Sequence, residues 1–503
     1  MTFFLDQHGC AKNQVDGELL IARLSARGYV QTFDAAAADL IIVNSCGFIE
    51  SAKTESLDAV LGARKQYPNA KILLAGCLAQ RYAAVLGEQL PEADGIFGNG
   101  DLDQLYRVVE PMMAGTRVVL APAQQGVCGG TRNLLLSFAG AAYVKITEGC
   151  NNRCSFCAIP LIRGELRSRP ADDIIAEIKQ LVAQGVYELN LIGQDLAAYG
   201  TGRSDNVFGT GRMSLPAKSP GSDDTTTGSS NSESGLCTLL KRISALSGTF
   251  RVRLLYMHPD HFNADILPVI AHDPRLLPYF DIPFQSGDDG IIHAMHRTGS
   301  AAAYRAIVAQ IRAVFPDAAL RTTFLAGFPA ESEAAAERTR RFLADIAPDW
   351  SGCFPYSRED DTPAAALKKQ VAKKTKETRA AALVALQKDI TRARLALRCG
   401  KVYDVLVEEV LSAGTDAPCE GLAIGRAWFQ APEVDGSVVI RYDCSDETAS
   451  AAVRTGRLVR VHVTASGDVD VSGDFVADSP LNAGIAPRAL TFAEDIAHDG
   501  MAR

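Results

Sequence analysis

The stretch Gly149-Cys150-Asn151-Asn152-Arg153-Cys154-Ser155-Phe156-Cys157 places three thiols within eight positions, shortly after a mostly apolar run at residues 141–146. Three residues separate the first two cysteines, two separate the next pair, and the following cysteine is Cys237. Four thiolates would suit a tetrahedral zinc ion or a closed iron–sulfur cluster. Three thiolates on a short loop instead favour a four-iron cluster with one iron open to a small ligand. An open coordination position is typical of a catalytic site.

Three further cysteines, Cys10, Cys46 and Cys77, each follow a short apolar run and stand beside a glycine. Helical patterns separate these runs, which lie at residues 3–5, 40–45 and 72–76. Short apolar runs that alternate with helices predict buried parallel strands, whose carboxyl ends share one edge where ligands bind. Buried free cysteines are also common in ordinary cores. Their repetition at equivalent strand ends nevertheless favours a second three-thiol iron–sulfur site.

From about residue 141 the alternation of strands and helices resumes over a longer stretch. The predicted strands are residues 142–147, 188–192, 251–256, 279–283, 321–326 and 350–354. The predicted helices are residues 171–184, 236–246, 263–271, 301–315 and 331–344. Six such units predict a partial parallel barrel, which carries its chemistry at the carboxyl ends of the strands.

The remaining segments have other patterns. Residues 201–235 are rich in Gly, Ser, Thr, Asp and Asn, which indicates a low-complexity insert. Residues 372–399 have a Lys- and Ala-rich helical pattern, and short alternating segments between 402 and 463 predict a small all-β barrel. No periodicity is visible after about residue 468, so we expect a loosely ordered tail.

Bulk composition excludes several classes of protein. The chain has 503 residues with 47% hydrophobic and 22% charged residues, as expected for a multidomain globular protein. No run of about 18 apolar residues indicates a membrane span, and the N-terminus lacks the features of a signal peptide. We therefore expect a cytoplasmic protein, in which twelve cysteines favour metal ligands or free thiols over disulfides. The net charge of −8 argues against a chain-wide nucleic-acid surface.

The pattern Cys150-x-x-x-Cys154-x-x-Cys157, with Phe156 before the last cysteine, resembles the signature of radical S-adenosylmethionine (SAM) enzymes. Together with the three upstream cysteines and the downstream β barrel, it makes residues 2–465, apart from the insert, resemble the methylthiotransferases. The resemblance implies an open parallel α/β cluster-binding domain at 1–125, a radical-SAM partial barrel at 136–372, a linking helix at 373–398, a TRAM-like β barrel at 399–466 and a tail at 467–503.

The cofactors that this resemblance implies are two 4Fe–4S clusters and SAM. The triad Cys150, Cys154 and Cys157 would hold the cluster that binds SAM and yields a 5′-deoxyadenosyl radical, which takes a hydrogen atom from the substrate carbon. The triad Cys10, Cys46 and Cys77 would hold the cluster that carries the sulfur. No side chain is expected to act as a catalytic acid or base, because the bond to be broken is an unactivated C–H bond. Contacts to SAM are expected from Phe156, Ile159, Gln194, Arg253, Gln285 and Gly327.

The substrate is less sharply defined than the reaction. Residues 158–170 resemble the branch that modifies the β-carbon of an aspartate in ribosomal protein twelve of the small subunit. Residues 283–289 are closer to the branches that modify adenosine in tRNA, which is the alternative substrate. Residues 401–470 hold six basic and twelve acidic residues, a net charge of −6. A barrel that binds tRNA should be basic, whereas an acidic barrel complements a basic ribosomal protein, which we prefer.

Other assignments remain open from the sequence. The resemblance implies an electron donor as a partner, and we expect a monomer. The cluster of Arg163, Arg167 and Arg169 could meet a substrate carboxylate or phosphate, or form a charged loop, and His258 and His261 are predicted to lie at the surface. Two rival classes are an iron–sulfur electron carrier, which needs closed four-cysteine sites, and a zinc-binding interaction module.

Overall fold

The amino-terminal part of the chain is built around a six-stranded parallel sheet. The computed structural model describes residues 1–201, 233–411 and 420–493, so most of the predicted insert at 201–235 lies outside the described residues. The strands are β1 (Thr2–Gln7), β2 (Val30–Gln31), β3 (Leu40–Ser45), β4 (Lys71–Gly76), β5 (Gly95–Gly98) and β6 (Val118–Leu120), in the order β2-β1-β3-β4-β5-β6. The helices are α1 (Ala11–Ala26), α2 (Glu50–Gln66), α3 (Cys77–Gln89) and α4 (Tyr106–Met113). The predicted open parallel α/β domain is confirmed.

The central part forms a second six-stranded parallel sheet, in the order β15-β14-β13-β12-β11-β8. Its strands and the short strands beside it are β7 (Leu134–Leu135), β8 (Ala141–Lys145), β9 (Thr147–Glu148), β10 (Arg167–Ser168), β11 (Glu188–Ile192), β12 (Arg251–Leu254), β13 (Leu276–Asp281), β14 (Ala319–Ala326) and β15 (Trp350–Pro355). Its helices are α5 (Ile159–Arg163), α6 (Ala171–Ala183), α7 (Gly235–Ser244), α8 (Ile266–His272), α9 (Asp289–Ala294), α10 (Ala301–Val314) and α11 (Glu333–Ile346). This arrangement confirms the predicted partial barrel.

The two faces of this sheet have different chemistry. Leu189, Leu191 and Val252 belong to the core between the sheet and its helices. The alternate positions include Glu188 and Arg253, because successive side chains of a strand point to opposite faces. The second face is therefore polar, although it is buried.

The carboxyl-terminal part begins with the long helix α12 (Lys373–Ala396) and forms a closed five-stranded barrel. Its elements are β16 (Val402–Leu411), β17 (Glu420–Arg426), β18 (Val438–Asp443), α13 (Glu447–Ala452), β19 (Leu458–Ser466) and β20 (Val471–Asp478). The closed barrel confirms the predicted fold class for this region. No helix within the described ranges has the length and apolar character required to cross a bilayer.

The predicted loosely ordered tail at 467–503 is wrong for its first part. Strand β20 lies between β18 and β19 and closes the barrel, so the barrel extends beyond the predicted end at residue 466. Further on, β21 (Thr491–Phe492) pairs with β7 of the central part. The sequence of β20, Val471-Ser472-Gly473-Asp474-Phe475-Val476-Ala477-Asp478, contains few large apolar residues. The position of β20 in the barrel is fixed by backbone hydrogen bonds to the neighbouring strands. The pattern of apolar residues in the sequence does not predict these hydrogen bonds.

A buried ion cluster joins the β barrel to the polar face of the central sheet. Glu188 lies 2.6 Å from Arg251, 3.2 Å from Arg253 and 2.8 Å from Arg426, and all four side chains are at most 4% exposed. Arg426, on β17, also pairs with Glu408 on β16. Although burial alone would raise the pKa of Glu188, the three guanidinium groups hold it well below its ordinary value. One carboxylate thus balances arginines from both domains.

The substitution Glu188→Gln is expected to destabilise the protein by about 3–5 kcal/mol, because three buried guanidinium groups lose their shared counter-charge. Unfolding of the purified chain, followed by fluorescence against denaturant, measures this effect. The matched control is Glu337→Gln on α11, whose carboxylate pairs with the more exposed Arg340 and Arg341. Such surface pairs contribute about 0–1 kcal/mol, so a similar shift in both variants would contradict the assignment.

Candidate active site

The loop of Cys150, Cys154 and Cys157 leaves the first strand of the partial barrel at its carboxyl end and returns through α5. The amide of Cys150 donates to the Gly164 carbonyl at 3.1 Å, and the amide of Cys157 donates to the Cys154 carbonyl at 3.0 Å. The residues of all three thiols line one cavity of about 470 Å³. The other lining residues are Gln124, Asn151, Arg153, Pro160, Leu161, Gly164, Glu165, Arg167, Asp361, Thr362 and Pro363. Three thiols therefore face a space large enough for a further ligand.

Side chains from the neighbouring strand ends fix this loop. Asn152 donates to the Asp195 carboxylate at 3.0 Å, and the same carboxylate contacts the His261 ring at 2.7 Å. His258 is buried, and its Nε2 lies 3.6 Å from the Cys154 Sγ. Burial, with the nearby charge of Arg297, lowers the pKa of His258 to about 3 and keeps the ring neutral. The predicted surface position of His258 is therefore wrong.

The second triad lies at the carboxyl ends of three neighbouring strands, as predicted. Cys10 is the N-cap of α1, after β1; Cys46 follows β3; and Cys77 begins α3, directly after β4. Gly9 has φ +90°, and a Cβ there would lie 3.1 Å from the Cys46 Cβ. Glycine thus supplies both the left-handed backbone and the close approach of two thiol loops.

Asn13 holds the three loops of this triad together. Its Nδ2 donates to the carbonyls of His8 at 2.8 Å, Asn44 at 3.1 Å and Ser45 at 3.3 Å. The Sγ of Cys77 lies 3.8 Å from the Asn13 Oδ1. One buried amide on α1 therefore fixes the thiol loops that follow β1 and β3 and touches the third thiol.

Burial favours the protonated form of three of these thiols. It raises the pKa of Cys150 and of Cys46 to about 12 and also raises the pKa of Cys77. These groups are thiols at neutral pH when no metal is bound. Because thiolate is the form that binds metal, loading of either site must release protons.

Helix α5 connects the two thiol triads. It begins two residues after Cys157 and ends at Arg163, whose Nη2 lies 3.2 Å from the Cys77 Sγ. The five residues of α5 span about 7.5 Å, so the two sites are close neighbours across the domain interface. The side chains of Cys77, Ala158 and Ile162 also form one small apolar cluster.

Ion pairs surround Arg163 at this interface. Its guanidinium lies 2.9 Å from both Asp16 on α1 and Glu148 on β9. Lys145 pairs with the same two carboxylates, at 2.7 Å from Glu148. All four side chains are at most 9% exposed. Arg163 is thus a buried interdomain contact rather than part of an exposed charged loop.

A second contact of the two domains lies beside the cavity. Arg81 on α3 pairs with Glu359 at 3.0 Å and donates to the Asp360 carbonyl at 2.7 Å. Lys53 on α2 lies 3.2 Å from the same Glu359 carboxylate. The chain continues from there into Asp361, which lines the cavity. The amino-terminal domain therefore supports one wall of the space in front of the first triad.

The six residues predicted to contact SAM are placed at different distances from the thiol loop. Phe156 packs on the cluster that includes Met295 and Phe328, and Ile159 is the first residue of α5. Gln194 donates to Glu148 at 3.0 Å, and its buried Oε1 has no hydrogen-bond partner among the described residues. These three residues lie next to the loop.

Gln285 and Gly327 follow β13 and β14 at the carboxyl edge of the sheet. Gln285 has φ +69°, a left-handed conformation that costs a non-glycine residue about 1–3 kcal/mol and is found most often at functional sites. Gly327 has φ +74°, and its amide donates to the Glu331 carboxylate at 2.8 Å. A Cβ at Gly327 would lie 2.4 Å from the Lys376 Cγ of α12, so this glycine serves the packing of that helix.

The structure disagrees with the prediction that Arg253 contacts SAM. Its side chain is fully buried on the polar face of the sheet, where Nη1 donates to the Trp428 carbonyl at 2.6 Å and Nη2 pairs with Glu188. Its guanidinium also stacks on the Tyr279 ring. Although Arg253 lies near the carboxyl end of β12, its long side chain reaches towards the β barrel and away from the thiols.

Several residues of the site carried no signal in the sequence analysis. Asn13, Asp195 and Glu148 act through hydrogen bonds to residues far away in sequence. Asp195 and Glu148 each lie within three residues of a predicted strand end, which is the one signal that could have marked them. In the described part of the chain, no three His, Cys, Asp or Glu side chains converge as the ligands of a single metal ion would. In a cluster, by contrast, each thiolate binds a different iron.

Each of the three parts of the chain matches the model of a known protein family. Residues 144–343, which contain the partial barrel and its thiol loop, match the model of the Radical SAM superfamily. Residues 2–98 match a model described as "Uncharacterized protein family UPF0004", and residues 399–476 match the TRAM domain. Among solved structures, the radical SAM methyltransferase TsrM of Kitasatospora setae has a TM-score of 0.50 at 12% identity, covering 72% of this chain and 73% of that one. This likeness shows the fold alone.

Relatives of known name match nearly the full length of the chain. The "Ribosomal protein uS12 methylthiotransferase RimO" of Treponema denticola is 48% identical, over 93% of this chain and 99% of that protein. The protein of the same name from Sorangium cellulosum is 35% identical, over 96% of this chain and 92% of that protein. The chain therefore belongs to the RimO family of radical-SAM methylthiotransferases.

Proposed function

We propose that this enzyme adds a methylthio group to the β-carbon of an aspartate in ribosomal protein uS12. The observation that carries the proposal is the placement of two three-thiol sites on either side of α5, with Arg163 touching Cys77 across the domain boundary. A reaction that activates a carbon and then gives it sulfur needs both sites beside one substrate atom. The family's printed name supplies the substrate.

The residues present fit two 4Fe–4S clusters and SAM. Cys150, Cys154 and Cys157 would hold one cluster, and Cys10, Cys46 and Cys77 the other, because thiolates are soft ligands that suit iron–sulfur sites. SAM would occupy the 470 Å³ cavity that the first triad lines. When bound, these groups supply the hydrogen abstraction and the sulfur, which no side chain can supply at neutral pH.

The chain's own residues orient these groups and exclude water. Asp195 holds the thiol loop through Asn152, and Asn13 holds the loops of the second triad. Arg163 and Lys145, with Asp16 and Glu148, seal the space between the domains by buried ion pairs. Phe156, Ile159, Gln194, Gln285 and Gly327 remain our proposed contacts to SAM, and the buried Oε1 of Gln194 has no hydrogen-bond partner among the described residues.

We also propose that uS12 docks on the acidic β barrel. The side chains of Arg426, Glu408 and Asp435 are buried at the domain interface, and the exposed acidic residues Asp443, Asp446 and Glu447 lie on the outer side of the barrel. An acidic surface attracts a basic ribosomal protein and speeds its association. An electron donor as partner, a monomeric enzyme and a cytoplasmic location complete this proposal.

The test is mass spectrometry of uS12 and of hydrolysed tRNA from a strain that lacks this enzyme. We expect uS12 to lose the mass of one methylthio group, while the methylthio nucleosides of tRNA stay unchanged. Complementation with the wild-type chain should restore the modified uS12. Loss of methylthioadenosine from tRNA with uS12 unchanged would establish the alternative substrate and overturn the proposal.

A further inference from the structure

Lys12 is a buried cation that has no ion-pair partner among the described residues. It lies on the first turn of α1, two residues after Cys10, and is 7% exposed. No carboxylate of the described residues lies within 4.0 Å of its Nζ. Removing an unpaired charge from water is costly, so buried charges are normally paired or bind a ligand. Lys12 therefore differs from an ordinary structural lysine.

Three other buried cations near this interface are paired with carboxylates. Lys145 contacts Asp16 and Glu148, Arg163 contacts the same two carboxylates, and Arg132 contacts Glu18 and Glu177. None of these carboxylates lies within 4.0 Å of the Lys12 Nζ. Lys12 thus differs from these three cations in having no direct ion pair within the described residues.

The Lys12 ammonium points towards the carboxyl edge of the partial barrel. Its Nζ lies 3.0 Å from the centre of the Tyr256 ring, just beyond the end of β12. Tyr256 itself has φ +69°, and its amide is held by the Asp281 carboxylate at 3.1 Å. The aromatic face orients the ammonium group by a cation–π contact, which is not an ion pair. Lys12 thus lies between Cys10 and the carboxyl end of β12, at the edge of the sheet where the loop of the other triad also begins.

We propose that Lys12 binds the carboxylate of the substrate aspartate and thereby determines specificity for an acidic side chain. The inference rests on the proposed function, because the reacting β-carbon must lie between the two triads and its carboxylate is one bond away. An ammonium group beside Cys10 would then meet that carboxylate in a water-poor site, where charged hydrogen bonds are strong. A nucleobase carries no carboxylate and would gain nothing from this contact.

The test compares two peptides of the uS12 segment, one with the target aspartate and one with asparagine in its place. Their binding to the cluster-loaded enzyme and to the Lys12→Met and Lys12→Arg variants is measured by fluorescence anisotropy, together with iron content. We expect the wild type to bind the aspartate peptide at least about tenfold more tightly than the asparagine peptide. In Lys12→Met this preference should disappear while iron content stays unchanged, and Lys12→Arg should recover part of it.

A matched control is Lys71→Met, which removes another lysine of the same domain. Lys71 is the first residue of β4, at the opposite end of that strand from Cys77, and it pairs with Asp94, beside which Arg64 remains when Lys71 is lost. This variant should keep the wild-type preference for the aspartate peptide. Retained preference in Lys12→Met would overturn the proposal, and so would a loss of iron in that variant, which would make Lys12 a support of the second triad.

The outcomes also separate this inference from the proposed function. If the wild type shows no preference between the peptides and the deletion strain retains modified uS12, both proposals fail. If the deletion strain loses the modification but Lys12→Met still prefers the aspartate peptide, only the role of Lys12 is overturned.

Discussion

Replacing Cys150, Cys154 and Cys157 together by alanine is expected to abolish the cleavage of SAM to deoxyadenosine, and with it all product formation. The three thiols share one loop and one cavity, so they are the ligands that would place a cluster beside SAM. We expect the rate of deoxyadenosine formation to fall more than roughly 1000-fold. Such a loss is small compared with the total rate acceleration of an ordinary enzyme. Chromatography of the anaerobic reaction mixture measures this rate.

The control for this variant removes three other thiols. Cys353, Cys399 and Cys444 are free cysteines outside both triads, and their joint replacement by alanine should leave deoxyadenosine formation near the wild-type rate. Circular dichroism of both variants checks that the fold is retained. Deoxyadenosine formation by the Cys150/Cys154/Cys157 variant at more than a few per cent of the wild-type rate would show that another site cleaves SAM.

Replacing Cys10, Cys46 and Cys77 together by alanine is expected to abolish methylthiolation but not the cleavage of SAM. The first triad lies in the other domain, and none of Cys10, Cys46 and Cys77 lines its cavity, so deoxyadenosine should still form at a rate within about tenfold of wild type. Methylthiolated peptide should fall below detection, because the sulfur would come from the second site. The residual difference in rate reflects the contact of Arg163 with Cys77, which the substitution removes.

Peptide mass spectrometry and deoxyadenosine assays on the same samples distinguish the two roles. Formation of methylthiolated peptide by the Cys10/Cys46/Cys77 variant would contradict the proposal that the second triad supplies the sulfur. The opposite result, complete loss of deoxyadenosine formation with the fold intact, would mean that the second triad is needed for SAM cleavage itself.

Much of the fold and both thiol triads could be predicted from the sequence because the signals are local and repeated. The runs that became β1, β3 and β4 are short and mostly apolar, and a cysteine follows each strand within three residues. The topology of parallel sheets then brings these ends to one edge. For the same reason the loop of Cys150 could be placed at the edge of the partial barrel.

The parts that could not be predicted depend on contacts between distant residues. Arg253 lies near the carboxyl edge of the central sheet, where ligands bind. Its side chain nevertheless contacts Glu188 and the Trp428 carbonyl, on the side of the β barrel. Strand β20 has a weak pattern and is defined by its pairing with β19. The unpaired state of Lys12 is visible only when its neighbours are known. The periodicity of apolar residues in a sequence predicts which side chains are buried. Which residues they contact can be read only from the folded structure.

Iron and acid-labile sulfide analysis of the anaerobically purified enzyme and of both triad variants tests the central claim most directly. We expect about eight iron atoms per wild-type chain and about four in each variant, because each triad would hold one four-iron cluster. A content of about two zinc ions per chain, or a loss of all iron on removal of either triad, would contradict two independent clusters.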